Sequence, residues 1–169
     1  MNTDTQNTNP ETLKECAQKR WESLKTFLDK GITPAACVSY DMSMMHDNYQ
    51  VKDAVNELNS LKLYEFLKFR LDFLQEELNE TRKAYSEKDA EEIVDGLIDL
   101  VVVAVGTLDL YGVNFNKAWF EVLRANMNKQ VGVKEGRPNP YGLPDLCKPE
   151  GWTAPSHAGN HGIIEKAFA

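Results

Sequence analysis

The sequence lacks the long apolar runs and the cysteine pairs that mark several common protein classes. No stretch reaches the roughly 18 consecutive apolar residues that a membrane-spanning helix needs, and the N-terminal MNTDTQNTNPE is too polar for a signal peptide. The three cysteines are odd in number and widely scattered, so they form no zinc or disulfide pattern and indicate a reducing compartment. We therefore expect a cytoplasmic protein without a membrane partner.

Basic residues are also scarce. Lysine and arginine together number 19, against 26 aspartates and glutamates, which gives a net charge of −7. This balance disfavours a nucleic-acid polymer as the main partner, but it permits a small anion held by a metal ion and a few basic residues. The length of 169 residues predicts one domain with a core of useful size.

Alternating strand patterns are absent as well, and the periodicity that is present is helical. It predicts helices over residues 12–29, 43–49, 63–85, 90–110 and 115–128, with Asn114 as the cap of the last one. The chain is therefore expected to be all-α and built on an antiparallel helix pair. We divide it into a leader and helix over residues 1–40, a helical core over 41–130 and an irregular arm over 131–169.

The predicted arm differs from the core in composition. The segment from Gln130 to Ala169 holds five of the seven prolines and six of the ten glycines, which excludes a long helix or a central strand. A disordered tail is one interpretation. Against it stand four apolar residues that disordered tails usually lack, namely Tyr141, Leu143, Leu146 and Trp152. They favour an ordered Pro/Gly-rich arm packed over the helices or over a neighbouring subunit.

Two consecutive predicted helices carry carboxylates within apolar stripes. In EEIVDGLIDLVVVAVG, the stripe of Glu92, Asp95 and Asp99 continues into apolar residues. In the helix before it, two glutamates share a stripe with three phenylalanines and an alanine: Phe66, Phe69, Phe73, Glu77, Glu80 and Ala84. Because only a short link joins the helices, we expect them to pack antiparallel. The pair Glu77 and Glu80 should then face Glu92 and Asp95 at the same level.

Four carboxylates in a partly buried site would repel one another and would lose hydration, so they need a neutralising partner. No matching set of buried lysines or arginines is evident, and all-oxygen ligands favour Mg²⁺, Mn²⁺ or Ca²⁺. A di-iron site would need Glu-x-x-His spacing, which the three histidines do not provide. A local role remains open for Glu92, as the capping-box partner of Asp89, unless Ser86 is the cap. Asp99 is either an ordinary buried polar residue or a further ligand.

These motifs resemble those of the all-α nucleotide pyrophosphohydrolases. Glu76-Glu77-Leu-Asn-Glu80, followed by Glu92-Ile-Val-Asp95, is similar to their Glu-Glu-x-x-Glu and Glu-x-x-Asp signature. The stretch that ends in Arg124-Ala-Asn126-Met-Asn-Lys129 resembles the MazG-like and phosphoribosyl-ATP pyrophosphohydrolase-like branch in particular. The resemblance covers residues 41–130 and leaves out the leader and the arm.

The resemblance implies a MazG-like helical bundle completed by oligomerisation, as a homodimer or a tetramer of two dimers. It also implies a hydrolase that cleaves a nucleoside triphosphate between its α- and β-phosphates, giving a monophosphate and pyrophosphate, in nucleotide-pool housecleaning. Phosphoribosyl-ATP is an alternative substrate. If the protein is not an enzyme, the alternative is a non-catalytic helical oligomer with a structural metal site.

The resemblance further assigns roles to individual residues. It implies that Mg²⁺, or Mn²⁺, is held by Glu77, Glu80, Glu92 and Asp95. Glu76 or Asp99 would supply the catalytic base or bind a second metal. Phosphate would be held by Lys129 and Arg124, while Asn126 would hydrogen-bond the nucleotide. Arg124 could instead only complement its helix dipole, and in the arm Lys134 and Arg137 are weaker candidates.

Overall fold

The computed structural model describes residues 10–30, 37–134, 136, 141–143 and 145–169. Within these ranges the chain forms seven helices and one two-stranded antiparallel sheet. The elements are α1 (Pro10–Asp29), α2 (Val38–Asn48), α3 (Val51–Asn56), α4 (Ser60–Glu87), α5 (Ala90–Leu110), α6 (Phe115–Met127), β1 (Gln130–Gly132), β2 (Asp145–Cys147) and α7 (Ile164–Ala167). The all-α prediction is confirmed. None of the helices in the described ranges is both long and apolar enough to cross a lipid bilayer.

Helices α4 and α5 form the expected hairpin, and polar side chains define its helix ends. Asn59 caps α4 by accepting a hydrogen bond from the Lys62 backbone N–H, so α4 begins earlier than its apolar periodicity predicts. Lys88 then takes a left-handed conformation that ends α4. Asp89 caps α5 by accepting from two backbone N–H groups. The whole connection is therefore two residues long.

Three contacts establish one antiparallel register between α4 and α5. The rings of Phe66 and Tyr111 stack with their centroids 6.1 Å apart. Further along, the Arg70 Nε–H donates to Thr107 Oγ1 over 3.0 Å. Nearest the turn, Gly96 lies against Thr81, and a Cβ on this glycine would be 2.4 Å from Thr81 Oγ1. From one contact to the next, the residue number rises in α4 by as much as it falls along α5. The two helices therefore keep one register along their whole length.

A buried polar network holds α2 and α3 against α5. The His46 ring is buried, and its Nδ1 lies 2.7 Å from Asp109 Oδ2. Lys52 Nζ approaches the other oxygen of Asp109 to 3.3 Å. Burial alone would raise the pKa of Asp109, but the hydrogen bond with His46 and the positive charge of Lys52 bring it below its ordinary value. Helix α2 begins five residues before the predicted start at residue 43.

The apolar core lies at the open end of the hairpin, away from the α4–α5 turn. Leu63 and Tyr111 are completely buried there, and the Tyr111 hydroxyl donates to the Leu63 carbonyl over 2.6 Å. Helices α3 and α7 contribute Val55 and Ala167 to the same cluster. At Gly162, which has a positive φ of 55°, a Cβ would be 1.9 Å from the Tyr111 carbonyl. Only glycine allows the chain to pass this close to the core.

In its described residues the C-terminal arm is anchored to α6 by Trp152, as predicted, and to the start of that helix by Asn160, which the sequence did not indicate. Asn160 accepts from the Asn114 N–H and donates to the Asn114 carbonyl, and the Trp152 indole N–H donates to the Ala125 carbonyl. The other three expected anchors, Tyr141, Leu143 and Leu146, are exposed and do not pack over the helices of this chain, so for them the packing over a neighbouring subunit stays a prediction. The start of the leader, residues 1–9, lies outside the described residues.

We predict that Gly96→Ala destabilises the protein, because the added methyl group would lie 2.4 Å from Thr81 Oγ1, so either this hydroxyl leaves its hydrogen bond with the Glu77 carbonyl or α4 and α5 move apart. Alanine has the higher helix propensity, but overpacking should dominate, and we expect a net loss of about 1–3 kcal/mol of unfolding free energy. Urea denaturation of the variant and the wild type measures the loss.

The matched variant is Thr81→Ala, which removes the hydroxyl oxygen that the new methyl group would meet. The double variant should recover part of the stability that Gly96→Ala loses. Strictly additive effects of the two substitutions would contradict a direct contact between these positions.

Candidate metal centre

Glu77 is the one acidic residue among those described whose exposure falls to 8 %. It lies on α4 one turn before Thr81, whose hydroxyl donates to the Glu77 carbonyl over 2.8 Å. Within the described part of the chain, no lysine, arginine or histidine forms an ion pair with its carboxylate. A buried carboxylate without a cation partner is costly, so its surroundings need a chemical explanation.

The surroundings of Glu77 are acidic. Burial raises the pKa of its carboxyl group, and four neighbouring negative charges raise it further, in decreasing order those of Asp99, Glu80, Glu76 and Asp95. The negative charges of four predicted site residues therefore disfavour ionisation of a fifth, Glu77. This is the clustering expected of a cation site, and it lies on the two helices where the sequence places it.

The register of the hairpin changes which carboxylates face each other. Counted from the contact between Thr81 and Gly96, Glu77 lies level with Leu100, next to Asp99, whereas Glu92 lies level with Tyr85. At about 1.5 Å of rise per residue, Glu92 is therefore roughly 12 Å further along the hairpin than Glu77. The expectation of one shared level is therefore wrong for Glu77 and Glu92, whereas Glu80, level with Leu97, is only two residues, or roughly 3 Å, from the level of Asp95. The reason is that Glu92 is three residues after the two-residue link, whereas Glu77 is eleven residues before it.

Most of the predicted ligands extend into solvent. Glu76, Glu80, Glu92 and Asp95 are exposed, while Asp99 is half-buried. Across the described ranges, no three carboxylate, imidazole or thiol groups lie close enough to share a metal ion. The side chains would have to rotate inward to do so, which exposed glutamates do readily. The donor set itself, all carboxylate oxygen beside a buried carboxylate that lacks a cation, fits Mg²⁺ or Mn²⁺.

Glu92 does not have the purely local role of a capping-box partner, although Asp89 caps its helix. Asp89 is the N-cap and accepts from the Glu92 N–H over 3.2 Å, so the capping role falls to Asp89 and not to Ser86. The Asp89 N–H, however, donates to the Ala84 carbonyl over 3.0 Å. A reciprocal capping box would need this N–H to donate to the Glu92 carboxylate. The Glu92 side chain is thus not held in a capping box.

The predicted phosphate-binding residues lie at the end of α6. Lys129 Nζ donates to Asn126 Oδ1 over 2.7 Å. Arg124 instead binds within its own helix and to the arm, through Glu121 at 2.9 Å and Thr153 at 3.0 Å. The hydrogen bond from Arg124 lowers the pKa of Glu121, and the hydrogen bond from the Ser156 N–H lowers it by a smaller amount. Arg124 therefore has a structural role that the sequence did not indicate.

In the described ranges, no hydrogen bond or ion pair joins Asn126 or Lys129 to the carboxylates of α4 and α5. The candidate site thus consists of two groups without a direct hydrogen bond between them: the carboxylates of α4 and α5, and Asn126 with Lys129 at the end of α6. Arg137, a weaker candidate, lies outside the described residues. The residues that sequence reasoning missed are Thr81 and Gly96, which set the register of the hairpin.

Comparison with known proteins gives one finding. The sequence model of the phosphoribosyl-ATP pyrophosphohydrolase family matches residues 42–126, which is half of the chain and includes both acidic motifs. Neither curated proteins nor solved structures gave a significant match.

We predict that Glu77→Gln makes the protein less sensitive to pH when EDTA is present. Because the pKa of Glu77 is raised in the folded state above its ordinary 4.5, the folded protein binds this proton more tightly than the unfolded chain. The associated stability is present below pH 4.5 and is lost as the pH rises through the raised pKa. Melting temperatures of the wild type should fall across this window, and those of Glu77→Gln should fall less.

Glu65→Gln is the matched control, because Glu65 is an exposed glutamate of the same helix. Its melting temperatures should follow the wild-type pH dependence. Identical pH profiles for Glu77→Gln and Glu65→Gln would contradict the burial of Glu77 among like charges.

Proposed function

The chain belongs to the phosphoribosyl-ATP pyrophosphohydrolase family, and from this premise we propose that it hydrolyses a nucleoside triphosphate between the α- and β-phosphates. The products would be a nucleoside monophosphate and pyrophosphate. The observation that carries the proposal is the buried Glu77, whose neighbours are other carboxylates on α4 and α5. A site of this kind suits a divalent cation and the phosphates it binds.

The residues assigned to the cation are Glu77, Glu80, Glu92 and Asp95. When bound there, Mg²⁺ or Mn²⁺ would neutralise phosphate oxygens and lower the pKa of a water molecule. Three of the four side chains are exposed and can reorient, while Glu77 is held by its buried position.

Proton transfer and phosphate binding are assigned to the remaining residues. Asp99 is half-buried on α5 and acts on Glu77 more strongly than any other neighbouring charge, so it is the better-placed base or second-metal ligand. Glu76 is exposed and is the alternative base. Lys129 and Asn126 would bind the phosphates and the nucleotide from the end of α6. Arg124 is the weakest of the assigned residues, since Glu121 and the arm already engage its guanidinium.

Phosphoribosyl-ATP is the second candidate substrate, and the family match favours it by name. Both substrates offer the same bond, the anhydride between the α- and β-phosphates, and both would release pyrophosphate. Phosphoribosyl-ATP differs from ATP in the phosphoribosyl group attached to its adenine, which is not part of that anhydride bond. The proposed chemistry is therefore common to the two candidates.

We also propose that a second copy of the chain covers α5. Four large apolar side chains on one face of this helix are 42–63 % exposed, namely Val94, Leu97, Ile98 and Val101. This face adjoins the stripe of Glu92, Asp95 and Asp99. A homodimer, or a tetramer of two dimers, would bury the apolar face and bring a partner next to the acidic site.

The activity is tested with common ribo- and deoxyribonucleoside triphosphates and phosphoribosyl-ATP in the presence of Mg²⁺ or Mn²⁺. We expect pyrophosphate and the corresponding monophosphate from at least one of them, and no turnover in EDTA. Release of orthophosphate with a nucleoside diphosphate would contradict cleavage at the α–β bond. No turnover of any substrate, with the metal bound, would favour a structural metal site.

The metal assignment is tested with Asp95→Asn and Glu80→Gln. In EDTA each variant should be at least as stable as the wild type, since one of several repelling charges is gone. Added Mg²⁺ should stabilise the wild type more, by roughly 2.7 kcal/mol at 100 times the dissociation constant, and the variants should lose most of their activity. Glu65→Gln again serves as the control. Equal metal-induced shifts in all four proteins would place the metal elsewhere.

The assembly is tested by light scattering on the wild type and on Leu97→Glu. We expect a dimer or tetramer for the wild type at micromolar concentration and a shift toward monomer for the variant, because a charge on the apolar face opposes association. A fully active wild-type monomer would contradict this proposal.

A further inference from the structure

The short sheet brings two lysines together at the end of α6. Its register pairs Gln130 with Cys147, and Lys129 and Lys148 are the residues that flank this last pair on the side of α6. Both ammonium groups contact one side chain, the indole of Trp152. Lys148 Nζ lies 4.4 Å from the ring centroid and Lys129 Nζ lies 6.0 Å from it.

The indole that the lysines share is fixed in place. Its N–H donates to the Ala125 carbonyl over 2.6 Å, in the last turn of α6. The Trp152 backbone N–H donates to the Pro149 carbonyl over 3.1 Å, which folds the chain into a turn just after Lys148. Because Asn126 follows Ala125 directly and also binds Lys129, the two lysines and Asn126 form one local group.

This group carries the positive charges of two lysines. In the part of the chain that the structure describes, neither lysine forms an ion pair, although acidic residues outnumber basic ones by 26 to 19. Two like charges held over the same ring repel each other. Contacts with an aromatic face offset only part of that repulsion. An anion with several oxygens would satisfy both ammonium groups at once.

We propose that Lys148 is a phosphate-binding residue, which acts with Lys129 and Asn126 on the pyrophosphate portion of the substrate. Trp152 is the positioning residue that holds both ammonium groups toward the same anion. The identity of the ligand rests on the proposed function. The site itself rests on the sheet register and on the indole contacts. Through Lys148, the arm becomes part of the substrate site and not only a cover for the core.

The test is calorimetric binding of inorganic pyrophosphate in EDTA, where the carboxylates can make no metal-bridged contact with it. Lys148→Gln should weaken binding about tenfold or more, the usual effect of losing a charged hydrogen bond. Lys148→Arg keeps the charge and the aromatic contact, and it should remain within about threefold of the wild type. Lys62→Gln, an exposed lysine of α4, is the control for net charge and should bind normally.

The outcomes separate this site from the proposed function. Pyrophosphate binding that is absent in the wild type, or equally weakened by Lys148→Gln and Lys62→Gln, would overturn the site even if nucleotides are hydrolysed. Unchanged binding and unchanged KM in Lys148→Gln, with only a lower melting temperature, would assign Lys148 to packing on Trp152. Binding that depends on Lys148 in a protein without turnover would support the site and refute the proposed activity.

Discussion

The close approach of α4 and α5 at Thr81 and Gly96 is the constraint on which the rest of the structure depends. It fixes the register of the hairpin from the turn to the stacked rings of Phe66 and Tyr111. The carboxylates lie toward the turn of this hairpin, and the buried core lies at its open end. A shift of a single residue would rotate Glu77 away from its acidic neighbours and would also misalign the core, so the site and the stability of the fold share one determinant.

The acidic cluster makes the hairpin less stable than an apolar one of the same shape. Glu77 is buried beside other negative charges, and its raised pKa expresses the cost of ionising it there. Such strain is typical of functional sites, where the arrangement that binds a ligand is not the arrangement that maximises stability. Asp109, also on α5, shows the contrast, because burial raises the pKa of its carboxyl group but the hydrogen bond with His46 and the positive charge of Lys52 bring it below its ordinary value.

Much of the fold could be predicted because the signals are local. Asn114 caps α6 as the sequence indicates, Asp89 is the one of two candidate residues that caps α5, and the all-α class follows from helical periodicity. The start of α4 was placed too late because its cap, Asn59, precedes the apolar stripe. The sheet could not be predicted, since three-residue strands are too short to show alternation. The proximity of Lys129 and Lys148 depends on that pairing, and so does the site we infer. The position of Glu92 along the hairpin could have been predicted by counting residues from the link between α4 and α5.

The attachment of α7 to the core has a consequence for how the chain folds. Lys166 donates to the Leu58 carbonyl across 108 residues of sequence, and Ala167 packs into the cluster around Leu63 and Tyr111. The hairpin can form early from contacts near in sequence, but its open end stays uncovered until this distant segment arrives. Closing so large a loop is slow for entropic reasons, so core completion should be the late step of folding. During synthesis on the ribosome, the apolar end of α4 would be a natural place for a chaperone to bind.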